Sequence, residues 1–292
     1  MSWVMHRWVW RVASPLHVGW LPAGALNRTR LYVPARALWG AFTAELARRQ
    51  NPATCQEPYA QKGQQLQQNV RFSYFFPAEQ VGNEWLAWLP CYQQREGLVW
   101  KREDGETLSD HSFRQRLLIT QPGTAINPAS DTAEEGTLRE LELISSWWRS
   151  QEDSHSPKPV AMVGYLFCRD PALCTQLPAL CTQLQQVTEL FIGGDTRYGL
   201  GRLVREEFRD ASSFFLNMQV DLSSSDPVVT SAHFLAHTFP NTIQATGAME
   251  CVGGWDMTAG GLVQAQLLWT PGSFVDREVQ FCFDRDGYWQ LR

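Results

Sequence analysis

The chain has 292 residues, a formal net charge of −5 and a 44% share of hydrophobic residues that includes 13 Trp and 15 Phe. That length accommodates one large domain or two modest ones with a well-buried core. The acidic balance excludes a molecule that attracts polyanions over its whole surface, so a nucleic acid would have to meet a local basic face or a field completed by neighbouring subunits.

Residues 3–12 alternate in character. Val4, His6, Trp8, Trp10 and Val12 fall on one side and Met5, Arg7, Val9 and Arg11 on the other, which predicts a strand. Pro15 and Gly19 end it, and Thr29–Pro34 reads as a short extended piece. From Ala35 the positions of Leu38, Phe42 and Leu46 predict a helix, with Arg48 and Arg49 at its C-terminal end where positive charge suits the helix dipole. Asn51-Pro52 stops it. Residues 52–70 are Gln-rich and read as irregular. The segments RFSYFFP, EWLAWLPCY and GLVWKRE then read as strands. Asp104-Gly105 signals a hairpin turn, and residues 98–119 read as a protruding hairpin with Arg95, Lys101, Arg102, Arg114 and Arg116 along its flanks. Thr137–Ile144 is ambiguous and preferred as a strand, whereas Val160–Cys168 is plainly one. In the segment after Asp170, Leu173, Leu177, Leu180 and Leu184 recur at helical spacing, with Asp170 as N-cap, Pro171 at the first position and Pro178 expected to kink or split the helix. A glycine-rich stretch, LFIGGDTRYGLG, follows and opens into the strand GRLVREEF.

The order is therefore strand, helix, long insertion, strand, strand, helix, glycine loop, strand. Without the insertion this is βαββαβ, an α+β pattern of ferredoxin-like or RRM-like type. The expected organisation is a domain over 1–210, with an insertion at about 52–135, followed after the Ser223–Pro227 boundary signal by a smaller, mostly β domain over 211–292.

The glycine stretch raises the functional question. A dinucleotide-binding loop follows a strand and opens a helix. This loop has the reverse order, and no Gly-Lys-Ser/Thr follows any glycine loop, so a nucleoside triphosphate loop is also excluded. Two readings remain. One is a turn of no chemical consequence. The other is a loop whose bare backbone admits a phosphodiester chain, with Arg197, Arg202 and Arg205 as charge partners and Tyr198 as a stacking face.

The seven Cys include no CxxC pair, which favours reduced thiols; a zinc site from Cys168, Cys174 and Cys181 has the wrong spacing. No metal and no cofactor is expected. The N-terminus has no signal-peptide core, and no stretch approaches the ~18–20 apolar residues of a membrane span. The expectation is a cytoplasmic protein without a membrane partner. Asp284 and Asp286 read as turn residues, and no GxSxG elbow supports a hydrolase triad.

The helix–glycine loop–strand segment from Leu190 to Phe208 resembles the glycine-rich loop of the CRISPR-associated RAMP superfamily. Three further segments agree: Ser14–Leu46 resembles its N-terminal PLH…YIPG…LRGA segment, Thr124–Ile144 a segment of many type III members, and Gly253–Phe281 the C-terminal GWD…PAGS segment of subunits that cap the 5′ end of the guide. The sequence departs at Ala35, where the family has glycine, and at Trp39, where it has arginine; Arg36 is the neighbouring basic residue.

The resemblance implies a non-catalytic RNA-binding subunit of a type III effector complex that holds the 5′ handle of the crRNA. Its expected partners are crRNA, RAMP filament subunits and the large subunit, with target RNA met only indirectly. The implied RNA surface comprises His17, Arg36, Gly193, Gly194, Arg197, Tyr198, Gly199, Gly201, Arg202 and Arg205, with Lys101, Arg102, Arg114 and Arg116 on a thumb. Two alternatives stay open: a filament subunit without its catalytic Asp, since no Asp or Glu lies between Ala13 and Val33, and a guide-processing endoribonuclease using His17. A structural adaptor without RNA is a third. Asp195 is expected to bond its own backbone amides as a turn residue.

Overall fold

The computed structural model describes residues 2–50, 56–149, 157–169, 178–240, 243–256 and 261–292. Strand β1 (Trp3–Val12) is followed by a hairpin of β2 (Gly19–Ala23) and β3 (Leu26–Thr29), then by helices α1 (Ala35–Gln50) and α2 (Gln56–Asn69). Next come β4 (Val70–Phe72), β5 (Phe76–Val81), β6 (Glu84–Gln93), β7 (Gly97–Arg102) and β8 (Thr107–Ser109). Helix α3 (Asp110–Leu117) leads to β9 (Leu118–Gly123), the short pair β10 (Ile126–Asn127) and β11 (Thr132–Ala133), and β12 (Arg139–Ile144). The remaining elements of this part are β13 (Val160–Arg169), α4 (Pro178–Gln185), β14 (Glu189–Phe191) and β15 (Arg202–Asp210).

The main sheet runs β14-β15-β1-β13-β5-β6-β7-β8, with β4 also pairing with β13. Its centre is β15-β1-β13-β4/β5, every pair antiparallel. In chain order these are the fourth, first, third and second strands of a βαββαβ unit, so the fold is α+β and RRM-like. The second strand comes from 70–81, inside the stretch read as inserted, and 139–144 is not that strand. β12 instead joins a separate sheet, β2-β3-β12-β9, by antiparallel pairing with β9 and parallel pairing with β3.

Helix α1 packs on the sheet because Leu38, Phe42 and Leu46 form one buried face. Phe42 stacks on Trp8 at 4.9 Å and on Phe72 at 5.4 Å. Glu45 pairs with Arg48 and Arg49 on the outer face. β13 is buried along nearly its whole length, and at its middle a Cβ on Gly164 would stand 1.9 Å from the Phe75 ring. Glycine there is what lets Phe75 lie flat against the strand.

Two local expectations are corrected, and a third lies partly outside the described residues. The Gln-rich stretch forms α2, because glutamine is a good helix former and Leu66 supplies a fully buried anchor. Residues 98–119 are not a protruding hairpin: only β7 and β8 form one, around Gly105 at φ +99°, on the edge of the main sheet. The chain then enters α3, capped by Ser109, whose hydroxyl accepts from the Ser112 amide. Phe113 stacks on Trp100 at 4.2 Å, which draws the segment into the core. Of the leucine-rich helix, Asp170 to Leu177 lie outside the described residues; the described part starts at Pro178.

The C-terminal part contains β16 (Val220–Asp221), β17 (Val228–His233), β18 (Met249–Asp256), β19 (Gly261–Trp269), β20 (Phe274–Phe283) and β21 (Trp289–Leu291). It has no helix of four or more residues among those described, and it forms a β16-β17-β20-β21 sheet plus the β18–β19 hairpin. One hydrophobic core spans both parts, with Phe167 against Phe283 at 4.9 Å. No helix among the described residues is long and apolar enough to cross a membrane.

Candidate nucleic-acid interface

The glycine loop lies between β14 and β15 and is clamped to the segment after β1. The Gly194 amide donates to the His17 carbonyl at 2.9 Å, the Gly201 amide to the Pro15 carbonyl at 2.8 Å, and the Arg202 amide to the Ser14 hydroxyl at 2.9 Å. Gly193 has φ +88°, and a Cβ there would stand 2.2 Å from the His17 carbonyl oxygen. Gly201 has φ +74°, and its Cβ would stand 2.0 Å from the Ile192 carbonyl oxygen. The space left by these two missing side chains is filled by the protein's own backbone. It is not open to an RNA chain, as the sequence reading had it. Gly194 is also close-packed, with the position of its Cβ 3.1 Å from the His17 ring, whereas Gly199, at φ +87°, faces open space.

His17 is the support of this loop. Its Nδ1 lies 2.9 Å from the Glu142 carbonyl oxygen, which can only accept, so Nδ1 carries a proton and donates it there. The ring is buried. Leu16 and Ile144 exchange backbone hydrogen bonds, which fixes β12 beside the loop.

Two loop side chains point outward. Arg197 is exposed, with no hydrogen-bond or ion-pair partner among the described residues, and Tyr198 is 75% exposed. The Arg139 guanidinium from β12 lies 5.6 Å from the Tyr198 ring centre. Between them is a cleft of about 100 Å³ lined by Gln121, Gly123, Arg139, Asp195, Tyr198 and Leu200. The other arginines of the segment are occupied. Arg202 pairs with Glu189 at 2.5 Å, which raises its pKa. Arg205 donates to the carbonyls of Gln185 and Val187 at the end of α4, and burial lowers its pKa. Asp195 adopts φ +54° but its side chain makes no capping bond; its carbonyl accepts from the Tyr198 amide at 2.9 Å instead.

Arg36 turns toward the C-terminal strands, pairing with Asp286 at 2.7 Å, beside Gly254. A Cβ on Gly287 would stand 2.1 Å from the Ala35 Cβ, so glycine at 287 is what makes room for the alanine at 35. Asp284 accepts from the amides of Asp286 and Tyr288, both at 2.8 Å. Burial and the neighbouring Asp286 charge raise its pKa to about 7.

The basic residues of the supposed thumb do not form an open cationic ridge. Glu79, which is buried, accepts from Arg102 at 3.3 Å and from Arg116 at 3.1 Å. Arg102 also pairs with Asp104 and Glu106, and Arg114 with Asp110. Lys101 and, in the turn before β7, Arg95 are exposed without such a partner among the described residues.

A second polar cluster escaped the sequence reading. Tyr74 donates its hydroxyl proton to His237 Nδ1 at 2.6 Å, and His237 Nε2–H donates to Glu250 Oε1 at 2.5 Å. Arg30 Nη2 reaches the same oxygen at 3.1 Å, and Trp20 Nε1 donates to Glu250 Oε2 at 2.7 Å. Burial acts to raise the Glu250 pKa, but these donors outweigh it and hold the carboxyl at about 2. Burial lowers the pKa of His237, consistent with a neutral ring. The only sequence signal was a single carboxylate in the apolar run Ala248–Val252.

Cys168 and Cys181 lie against each other, the first held up and the second held down by the hydrogen bond between them. Cys174 is outside the described residues, and among those described no group of three His, Cys, Asp or Glu could hold a metal.

No protein-family model matches the sequence, and no curated protein sequence matches it significantly. The chain superposes with a TM-score of 0.54 on a chain in the cryo-EM structure of the type III-B Cmr-beta bound to cognate target RNA and AMPPnP, at 11% identity over 92% of this chain and 85% of that one. Chains in two more Cmr-beta structures, one bound to cognate target RNA and one in the apo state, give TM-scores of 0.42 and 0.40 at 12% and 11% identity. Each covers 70% of this chain and 96% of that one. What the first of these shares with this chain is its fold.

Proposed function

We propose that the chain is a non-catalytic RNA-binding subunit of a type III CRISPR RNA-guided effector complex and that it holds the 5′ handle of the crRNA. The observation that carries the reading is the glycine loop: a clamp on residues 14–17 that turns one cation without a partner among the described residues, Arg197, and one exposed ring, Tyr198, to solvent beside Arg139. Such a surface suits a flexible phosphodiester chain, with guanidinium on phosphate and a base stacked on the aromatic face. The shared fold with a chain of a Cmr-beta bound to target RNA supports the assignment to such a complex. The handle assignment rests on the resemblance of the Gly253–Phe281 segment.

With a net charge of −5, the chain contributes a small basic face and leaves the rest of the field to neighbouring subunits. His17 acts by shaping the loop; its Nδ1–H is committed to a backbone carbonyl. Catalysis by this chain is not part of the proposal.

The test is equilibrium binding of a repeat-derived RNA to the chain, alone and within its assembled complex, over a series of salt concentrations. Salt-sensitive binding is expected, and Arg197→Ala is expected to lower the salt slope by about one. Absence of salt-sensitive binding in both settings would leave only a structural adaptor.

A further inference from the structure

A cleft of about 160 Å³ opens where the β2–β3 hairpin, strands β6 and β7, helix α3 and the C-terminal residues 248–250 and 270–271 meet. Its walls include the rings of Trp20, Tyr32, Tyr92 and Trp100, and its polar groups include Glu250 and Arg114. This combination of flat apolar walls and a few convergent polar groups is that of a site for a planar ligand.

The polar groups define the ligand further. Glu250 is 8% exposed and remains an ionised acceptor, because Arg30, His237 and Trp20 all donate to it. Oε1 takes His237 and Arg30, whereas Oε2 accepts only from Trp20 among the described residues, which leaves it one acceptor position. The carboxylate therefore calls for a ligand N–H. Arg114 pairs with Asp110 through Nε, but its buried Nη1 finds no partner among the described residues. An unpartnered buried guanidinium N–H is costly and calls for a ligand acceptor such as a ring carbonyl or ring nitrogen. Arg28 lies 4.4 Å over the Trp20 ring and makes no ion pair or hydrogen bond among the described residues. Arg28 does not itself line the cleft, but it stands beside it on Trp20, which does, and a cation there suits a phosphate attached to the planar group.

The cleft is linked through the chain to the residues that support the glycine loop. Trp20 is three residues from His17, so their Cα atoms are within about 11 Å of each other.

We propose that this cleft receives one extruded nucleobase carrying an exocyclic amine, stacked among Trp20, Tyr32 and Tyr92, with Glu250 accepting from the amine and Arg28 pairing with the nucleotide's phosphate. The proposal rests on the RNA reading for its biological setting but not for its chemistry. Uracil has no exocyclic amine, and its one ring donor, N3–H, is flanked by two carbonyl oxygens that would face the carboxylate, so it is the disfavoured base.

Saturation-transfer NMR of the full chain with 5′-AMP, 5′-CMP, 5′-GMP and 5′-UMP tests it. At least one amine-bearing nucleotide is expected to show saturable transfer to its base protons, with UMP about tenfold weaker, the worth of one hydrogen bond in such a site. Leu98→Trp, which fills the cleft from a half-buried position, is expected to abolish binding while the chain stays folded by circular dichroism. No saturable binding by any nucleotide, UMP as tight as the others, or binding unaffected by Leu98→Trp would each overturn the proposal. Mononucleotide binding without any RNA binding would retain the cleft and refute the RNA subunit reading; RNA binding without mononucleotide binding would do the reverse.

Discussion

The backbone carbonyl of His17 lies where a side chain of Gly193 would begin, 2.2 Å from the position of its Cβ, and accepts the amide of Gly194 at 2.9 Å. This contact joins the end of the first strand's loop to the glycine loop and fixes which residues of that loop can face a partner. Gly193→Ala is therefore expected to lower stability by about 3 kcal/mol or more, since positive φ and a backbone clash act together. Gly199→Ala, in open space, should cost about 1 kcal/mol, the φ penalty alone. Urea unfolding of the two variants measures the difference, and equal losses would contradict the clamp.

His17→Ala is expected to reduce stability by about 2 kcal/mol through the lost bond to Glu142 and the void under Gly194. Repeat RNA incubated with the wild-type chain or with this variant should stay intact. Specific cleavage by the wild type that His17→Ala abolishes would assign a catalytic role to the imidazole.

Arg197 and Arg205 should behave oppositely despite their proximity in sequence. Arg197→Ala is expected to weaken RNA binding with stability unchanged within about 0.5 kcal/mol, the range for exposed sites. Arg205→Ala removes donors from the Gln185 and Val187 carbonyls and should cost about 1 kcal/mol of stability. Parallel titrations and thermal melts separate the two roles.

Asp284 gives a pH signature. Its folded pKa, about 7, is above the ordinary carboxylate value, so the stability it contributes is fully present at low pH and is lost as pH rises through about 7. Asp284→Asn keeps an acceptor for the two amides and removes the buried charge. Relative to wild type, the variant should gain stability from pH 4 to pH 8 by an amount on the order of 4 kcal/mol. A difference that does not change over that range would contradict the raised pKa.

Much of the frame was legible because its signals are local. The alternation of Trp3–Val12, the apolar face of α1 and the turn at Asp104-Gly105 each lie within one element. Helix α3 also had a readable cap at Ser109 and an i, i+4 pair in Phe113 and Leu117, but the turn signal and basic residues around it favoured a single long hairpin. The identity of the second strand was not legible, since 70–81 and 139–144 both read as extended and only pairing with β13 distinguishes them. The site was half legible for the same reason. A glycine loop is visible in the sequence, but the carbonyl that fills the Gly193 space comes from His17, far away in the chain. Arg102 and Arg116 looked like an open basic flank because their common partner, Glu79, belongs to another strand.

We propose that this chain holds the 5′ handle of a guide RNA through the outward face of the glycine loop. Ultraviolet crosslinking of the assembled complex, with photoreactive nucleotides placed singly along the guide, tests it most directly. Crosslinks to this chain are expected to concentrate at handle positions and to fall with Tyr198→Ala. Crosslinks spaced evenly along the guide, or none to this chain at all, would contradict it.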